Sequence, residues 1–139
     1  MDPSRLFSNQ RGRLPAKLAV ALADSILKTE KKRLPVNIIF TDDDFLKDLN
    51  SRFRNKNRPT DVLSFTADAD LGVLGDIYIS IDTARCQAKE YRTTLADEIL
   101  RLVAHGVLHL CGYDHQRKSK AREMENKTER YLKRFIIHV

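Results

Sequence analysis

The chain has 139 residues, with 25 Lys and Arg against 19 Asp and Glu, and two cysteines. This length suits one domain able to withdraw roughly two thirds of its unfolded surface from water, and Cys86 and Cys111 are too few for a disulfide framework and too far apart for a paired-cysteine zinc motif. No run approaches the roughly 20 apolar residues that span a bilayer and no apolar signal core opens the chain, so a cytoplasmic protein without membrane contact is expected, and a net charge of +6 favours a polyanionic partner.

Met1 to Arg13 reads as a polar, basic arm or a partly ordered edge, punctuated by Asp2-Pro3-Ser4 and Gly12. From Pro15 onward Leu18, Leu22, Ile26 and Leu27 recur at helical spacing, which predicts a helix to about Lys31, with Lys31-Lys32-Arg33 at the negative end of its dipole. Pro35 opens a strand in which Val36, Ile38 and Phe40 alternate. Asp42 or Thr41 then caps a helix that turns Phe45, Leu46, Leu49 and Phe53 toward the core. The trio Asp42-Asp43-Asp44 crowds that helix's N-terminus, where carboxylates are stabilised without a bound cation, so it is read as a cap and not as a cation site.

Arg52, Arg54, Lys56 and Arg58 follow at every second position, and an extended chain would turn all four to one side, where phosphates can be held. The alternative is a solvated loop whose charges only keep it in water. Pro59 and Thr60 end the loop. Asp61 to Phe65 reads as a second strand, Asp68 to Gly72 as an irregular acidic stretch, and Gly75 to Ile81 as a third, β-branched strand. Helices are expected from about Thr83 to Tyr91, Leu95 to Leu110 and Lys118 to Phe135, the last with a thin apolar stripe. The order predicts an α+β fold in which residues 1–139 form a single domain, a small mixed β-sheet packed against several helices, with strand order left open.

Three of the four histidines fall between His105 and His115. His105 and His109 lie four apart, on one face of the predicted helix. Gly112 suits a left-handed helix stop, and the Tyr113-Asp114 turn lets His115 come back as a third ligand. Three neutral imidazoles suit one zinc ion per chain, or another divalent transition metal, and leave a fourth position open for water or substrate. Ordinary helix and turn histidines, or a structural metal, are the alternatives. Cys111 is expected to pack as a small hydrophobe, and Asp114 to orient a histidine or hold the turn.

The histidine spacing equals that of the metzincin motif H-E-x-x-H-x-x-G-x-x-H, but Gly106 stands where those peptidases carry their general-base glutamate. His105 to His115 resembles more fully the motif H-G-x-L-H-L-x-G-Y-D-H of the YbeY family of bacterial endoribonucleases, the 16S rRNA maturation factors. Asn50 to Phe65 is similar to that family's basic loop and following strand, and Leu74-Gly75-Asp76-Ile77 to its next strand, so the likeness spans Thr41 to His115. It departs at Thr66, where the family usually carries proline, and the first forty residues and the C-terminal helix carry no signature of it.

The resemblance implies a single-strand-specific, zinc-dependent endoribonuclease of 16S rRNA 3′ end maturation and ribosome quality control. Its implied partners are ribosomal RNA and the small ribosomal subunit, with no DNA expected. Arg54 would grip the phosphate under attack, with Arg52, Lys56 and Arg58 as further RNA contacts. With no Trp and few other aromatics, backbone and shape contacts should outweigh base stacking. The rival readings are a metzincin-like hydrolase of another substrate and a non-catalytic ribosome-assembly protein with a structural zinc.

Overall fold

The computed structural model describes residues 2–54, 61–113 and 118–138, and at 53–54, 69, 118–119 and 136–138 the backbone alone. In chain order the elements are β1 (Arg5–Ser8), α1 (Ala16–Thr29), β2 (Val36–Thr41), α2 (Asp43–Arg54), β3 (Val62–Thr66), a 3-10 turn (Ala69–Leu71), β4 (Gly75–Ser80), α3 (Ile81–Glu90), α4 (Leu95–Leu110) and α5 (Lys118–His138). The sheet order is β1-β2-β4-β3. The first three strands run parallel and β3 closes the sheet antiparallel, so the mixed α+β expectation holds.

One element was not foreseen as such. The N-terminal arm contains β1, paired with β2 from Arg5↔Asn37 to Ser8↔Phe40. An edge strand pairs through its backbone and needs little side-chain burial, so its sequence shows no clear alternation, and Phe7 is 52% exposed. Ser4 anchors it. Its N–H donates to the Asp24 carboxylate at 3.1 Å, and its hydroxyl accepts from the Val36 N–H at 3.0 Å.

Strand periodicity turns Val36, Ile38 and Phe40 of β2 and Ile77 and Ile79 of β4 to one face, where all are fully buried. Helices α1 and α4 cover that face. Helix α4 is the central element, packed against α1, α3, α5, β3 and β4, so Ile99, Leu102, Val103, Val107 and Leu108 are buried on several of its sides. Its N-terminus is capped by Thr94, whose hydroxyl accepts from the Asp97 N–H at 3.0 Å. Glu98, 1% exposed, is compensated by both arms of Arg101, at 2.9 and 2.8 Å.

The other face of the sheet is partly covered by α2. There Phe45 stacks on Tyr78 at 5.9 Å and Phe65 meets the same ring edge-on at 6.0 Å. Phe45, expected to face the core, and Leu18, one of the apolar residues at helical spacing, are 45% and 38% exposed, because each helix's apolar stripe is narrower than its spacing suggested. Leu46 and Ala19, their neighbours, take the fully buried positions. Asp42 and Asp43 of the acidic trio serve helix ends. Asp42 accepts from the Phe45 N–H at 2.8 Å, Asp43 accepts from the hydroxyls of Ser80 and Thr83, and the Asp43 N–H donates to Asp82 at 3.1 Å. Ser80 caps α3, which therefore starts two residues before the expected Thr83.

Helix α4 meets the sheet at Gly106. A Cβ there would stand 2.6 Å from Ile77 Cγ2 and 3.2 Å from Ser64 Oγ, and the Ser64 hydroxyl donates to the Gly106 carbonyl at 3.3 Å. A second contact joins α1, α5 and the chain just after α4. The Glu30 carboxylate accepts from Tyr113 Oη at 2.9 Å, from Lys127 Nζ at 3.2 Å and from the Tyr131 hydroxyl. Lys127 also lies over the Tyr113 ring, 4.7 Å from its centre. Burial raises the Glu30 pKa, but hydrogen bonds from Tyr131, Tyr113 and Lys127 outweigh it and hold the carboxyl below its ordinary 4.5.

Gly106→Ala is expected to lower stability by about 1–3 kcal/mol in chemical denaturation, because neither Ile77 nor the helix backbone can give way freely; unchanged stability would show that the helix can lift off the sheet. For Glu30, a depressed folded pKa means stability present above about 4.5 and lost as pH falls through the folded value. The stability difference between wild type and Glu30→Gln should therefore shrink as the pH falls below that point, and a pH-independent difference would rule out the ionised contact.

Candidate active site

The helix that crosses the sheet carries His105 and His109 one turn apart. Both side chains are half-buried, while Ala104, Gly106, Val107, Leu108 and Leu110 around them are buried. Nδ1 of His105 is shielded from solvent.

Helix α4 then stops where the sequence predicts. Gly112 has φ +106°, its N–H donates to the His109 carbonyl at 3.1 Å, and the Tyr113 N–H donates to the Leu108 carbonyl at 3.1 Å. This is a Schellman ending, which needs a residue tolerant of the left-handed region at Gly112. Tyr113 is fixed by Glu30 and Lys127, so the chain leaves α4 in a defined direction. The next residues, Asp114 and His115, lie outside the described residues.

Among the basic candidates, Arg52 is exposed on α2 and pairs with Asp48 at 3.3 Å, a solvent-screened contact of little energy. Arg54 is the last residue of α2, and its side chain, like all of Lys56 and Arg58, is outside the described set. The fold nevertheless shortens the gap between the basic segment and the histidines. Helix α2 ends at Arg54, β3 begins at Val62, and Ser64 of β3 touches Gly106, which stands between His105 and His109. The start of β3 is tied down by Asp61, which accepts from the Val62 N–H at 2.8 Å and from the Gln87 side chain at 3.3 Å.

Ser64, Glu30, Tyr113 and Tyr131 are supports that sequence reading missed. Tyr113 was noted only as a turn residue, and nothing local marks Glu30 as its partner 83 positions away.

The donors present fit a metal as two imidazoles of a set. Among the described residues no three or more His, Cys, Asp or Glu side chains converge on one point, the third histidine of the motif being outside them. Gly106, Val107 and Leu108 stand between the pair, so no carboxylate intervenes. Burial, reinforced by the charge of Glu30, pushes the Cys111 thiol up to about 11, and it packs against the core as a neutral group. No helix among the described residues is long and apolar enough to cross a membrane.

Comparison with known proteins extends the likeness beyond the central motifs. The family model described as Endoribonuclease YbeY matches residues 8–136, taking in much of the N-terminal region and most of α5, where no family signature had been expected. A protein named Endoribonuclease YbeY from Acholeplasma laidlawii is 42% identical over 112 residues, covering 80% of this chain and 82% of its own. Its namesake from Nautilia profundicola is 49% identical over 103 residues, 73% of each chain. A solution structure of a Thermotoga maritima protein superposes with a TM-score of 0.68 at 35% identity, covering 95% of this chain and 88% of that one. The chain belongs to the YbeY family of endoribonucleases.

Proposed function

We propose that this protein is a metal-dependent endoribonuclease that cuts single-stranded RNA in ribosomal RNA processing, at the 3′ end of 16S rRNA, in the cytoplasm and in association with the small ribosomal subunit. The observation that carries the reading is the pair His105 and His109, one turn apart on a helix whose ending is fixed immediately before Asp114 and His115. His105, His109 and His115 would hold zinc, or another divalent transition metal, which supplies Lewis acidity and water activation at neutral pH.

The chain's own groups do the rest. Arg54 closes α2 on the path into β3, and a guanidinium at that point can grip two phosphate oxygens and offset the charge that grows on them in the transition state. Arg52, Lys56 and Arg58 hold neighbouring phosphates, fixing the strand's position without reading its sequence. Asp114 orients a ligand or holds the turn. Gly106, where a metzincin-type peptidase would carry its glutamate, faces Ile77 and Ser64, so an acid there would be driven into the helix–sheet contact. This disfavours a peptidase-type general base at that position.

His109→Ala should lose its stoichiometric zinc by metal analysis; a variant that retains the wild-type content is not missing a ligand. Arg54→Ala, purified identically and matched for metal content, should cleave single-stranded RNA about 10²- to 10³-fold more slowly. Equal cleavage by both preparations would point to a contaminating nuclease and return the protein to the assembly-factor reading.

A further inference from the structure

Besides the basic residues Arg52 to Arg58, positive charge is concentrated in two further segments. Residues 28–33 hold four basic side chains and one acidic, and 118–138 hold seven basic and three acidic, a net +7 against +6 for the whole chain, so the remaining residues together carry −1. The fold brings these segments together at Glu30, the residue after α1, which accepts from Lys127 and Tyr131 of α5. Helix α5 turns Met124 and Thr128 inward against the core, which leaves Lys120, Arg130 and Arg134 exposed.

A cavity of about 270 Å³ lies where Glu30 meets Lys127, Arg130 and Arg134. A second, of about 300 Å³, shares Glu30 and is lined by Lys32, Lys120, Glu123, Gly112 and Tyr113. Glu30 is engaged by Lys127, and Lys120 lies 3.7 Å from Glu123. Among the described residues, Lys32, Arg130 and Arg134 form no ion pair. Uncompensated cations around a concavity attract anions, and those spread along two adjoining concavities fit an extended polyanion better than a single small one.

We infer that this face, built by the α1–β2 turn and α5, is a second phosphate-binding surface for single-stranded RNA, with Lys32, Arg130 and Arg134 as its contacts. The inference rests on the reading of the protein as a ribonuclease. The second cavity reaches Gly112 and Tyr113, the residues that lead into Asp114 and His115, so a strand held at the site can continue onto this face. A bilayer is the poorer occupant, since among the residues whose side chains are described none of the exposed large hydrophobic ones, Phe7, Leu18, Phe45, Leu71 and Tyr91, belongs to either segment.

The test is fluorescence anisotropy with labelled 2′-O-methyl oligouridine, which resists cleavage, across a series of salt concentrations. The combined variant Lys32→Gln, Arg130→Gln, Arg134→Gln should bind about tenfold more weakly at moderate salt. The slope of log affinity against log salt should flatten by about 2, at roughly 0.7 per lost phosphate contact with a single strand. The charge-keeping variant Lys32→Arg, Arg130→Lys, Arg134→Lys should keep the wild-type slope, as should Lys17→Gln, Arg85→Gln, Lys89→Gln, which removes as much charge elsewhere. Equal losses in the two neutralised triples, a wild-type slope in the first, or loss of binding to phosphatidylglycerol vesicles with RNA binding intact would overturn the proposal. Wild type that binds this RNA through the face yet never cuts a cleavable strand would refute the ribonuclease reading and leave the surface standing.

Discussion

The close approach of α4 to the sheet at Gly106 is the contact on which the other arrangements depend. A helix with a side chain at that point would have to stand off β4, because a Cβ would meet Ile77 at 2.6 Å. Without one, the helix backbone lies directly against the strands and Ser64 can donate to the Gly106 carbonyl. His105 and His109 flank that point, so their position relative to the sheet is set by packing and not by a flexible loop. A second glycine repeats the device at the helix's end. A Cβ on Gly75 would stand 2.4 Å from the Phe65 carbonyl oxygen and 2.8 Å from the Leu110 side chain. The absence of a general-base glutamate is thus one side of a structural requirement: Gly106 is a packing position.

Helix ends do the remaining positioning. Helices α1, α3 and α4 stop in the same way, with a left-handed residue after the cap and paired bonds back to the last turn. Only α4 uses glycine. Lys31 and Arg92 adopt φ values of 60° and 55° at the other two, a conformation that costs a side-chain-bearing residue about 1 kcal/mol. At the opposite ends, carboxylates of Asp42, Asp43 and Asp82 and the hydroxyl of Ser80 satisfy the N-termini of α2 and α3 jointly, which fixes α2 against the end of β4. The acidic residues are thereby committed to backbone and hydroxyl donors.

Charge is divided along similar lines. The most enclosed charges are paired, as Glu98 is with Arg101 and Glu30 with Lys127. Among the described residues Lys32, Arg130 and Arg134 form no ion pair, and they line the cavities beside Glu30. Glu30 therefore belongs to two features at once: it holds the chain that follows α4, and it lines both cavities beside Lys32, Arg130 and Arg134. A family of endoribonucleases needs a rigid site for chemistry and a surface that tolerates any sequence, and phosphate-directed cations meet the second need without base-specific contacts.

The sequence by itself determined the helices, three of the strands, the acidic N-terminal cap, the i,i+4 histidine pair and the glycine turn after it. Each of these is a local matter: spacing selects a face, and a short polar or glycine residue satisfies the nearest backbone groups. Tertiary structure decided what no neighbour in sequence can announce. It recruited Arg5 to Ser8 as an edge strand, since backbone pairing with β2 requires no side-chain pattern. It chose Ala19 over Leu18 and Leu46 over Phe45 for full burial, since the width of a buried stripe depends on the partner surface. It joined Glu30 to Tyr113 and Tyr131, 83 and 101 positions away, and set Ser64 against Gly106 across 42. Such contacts follow from how closely the layers pack, and that closeness is a property of the assembled core.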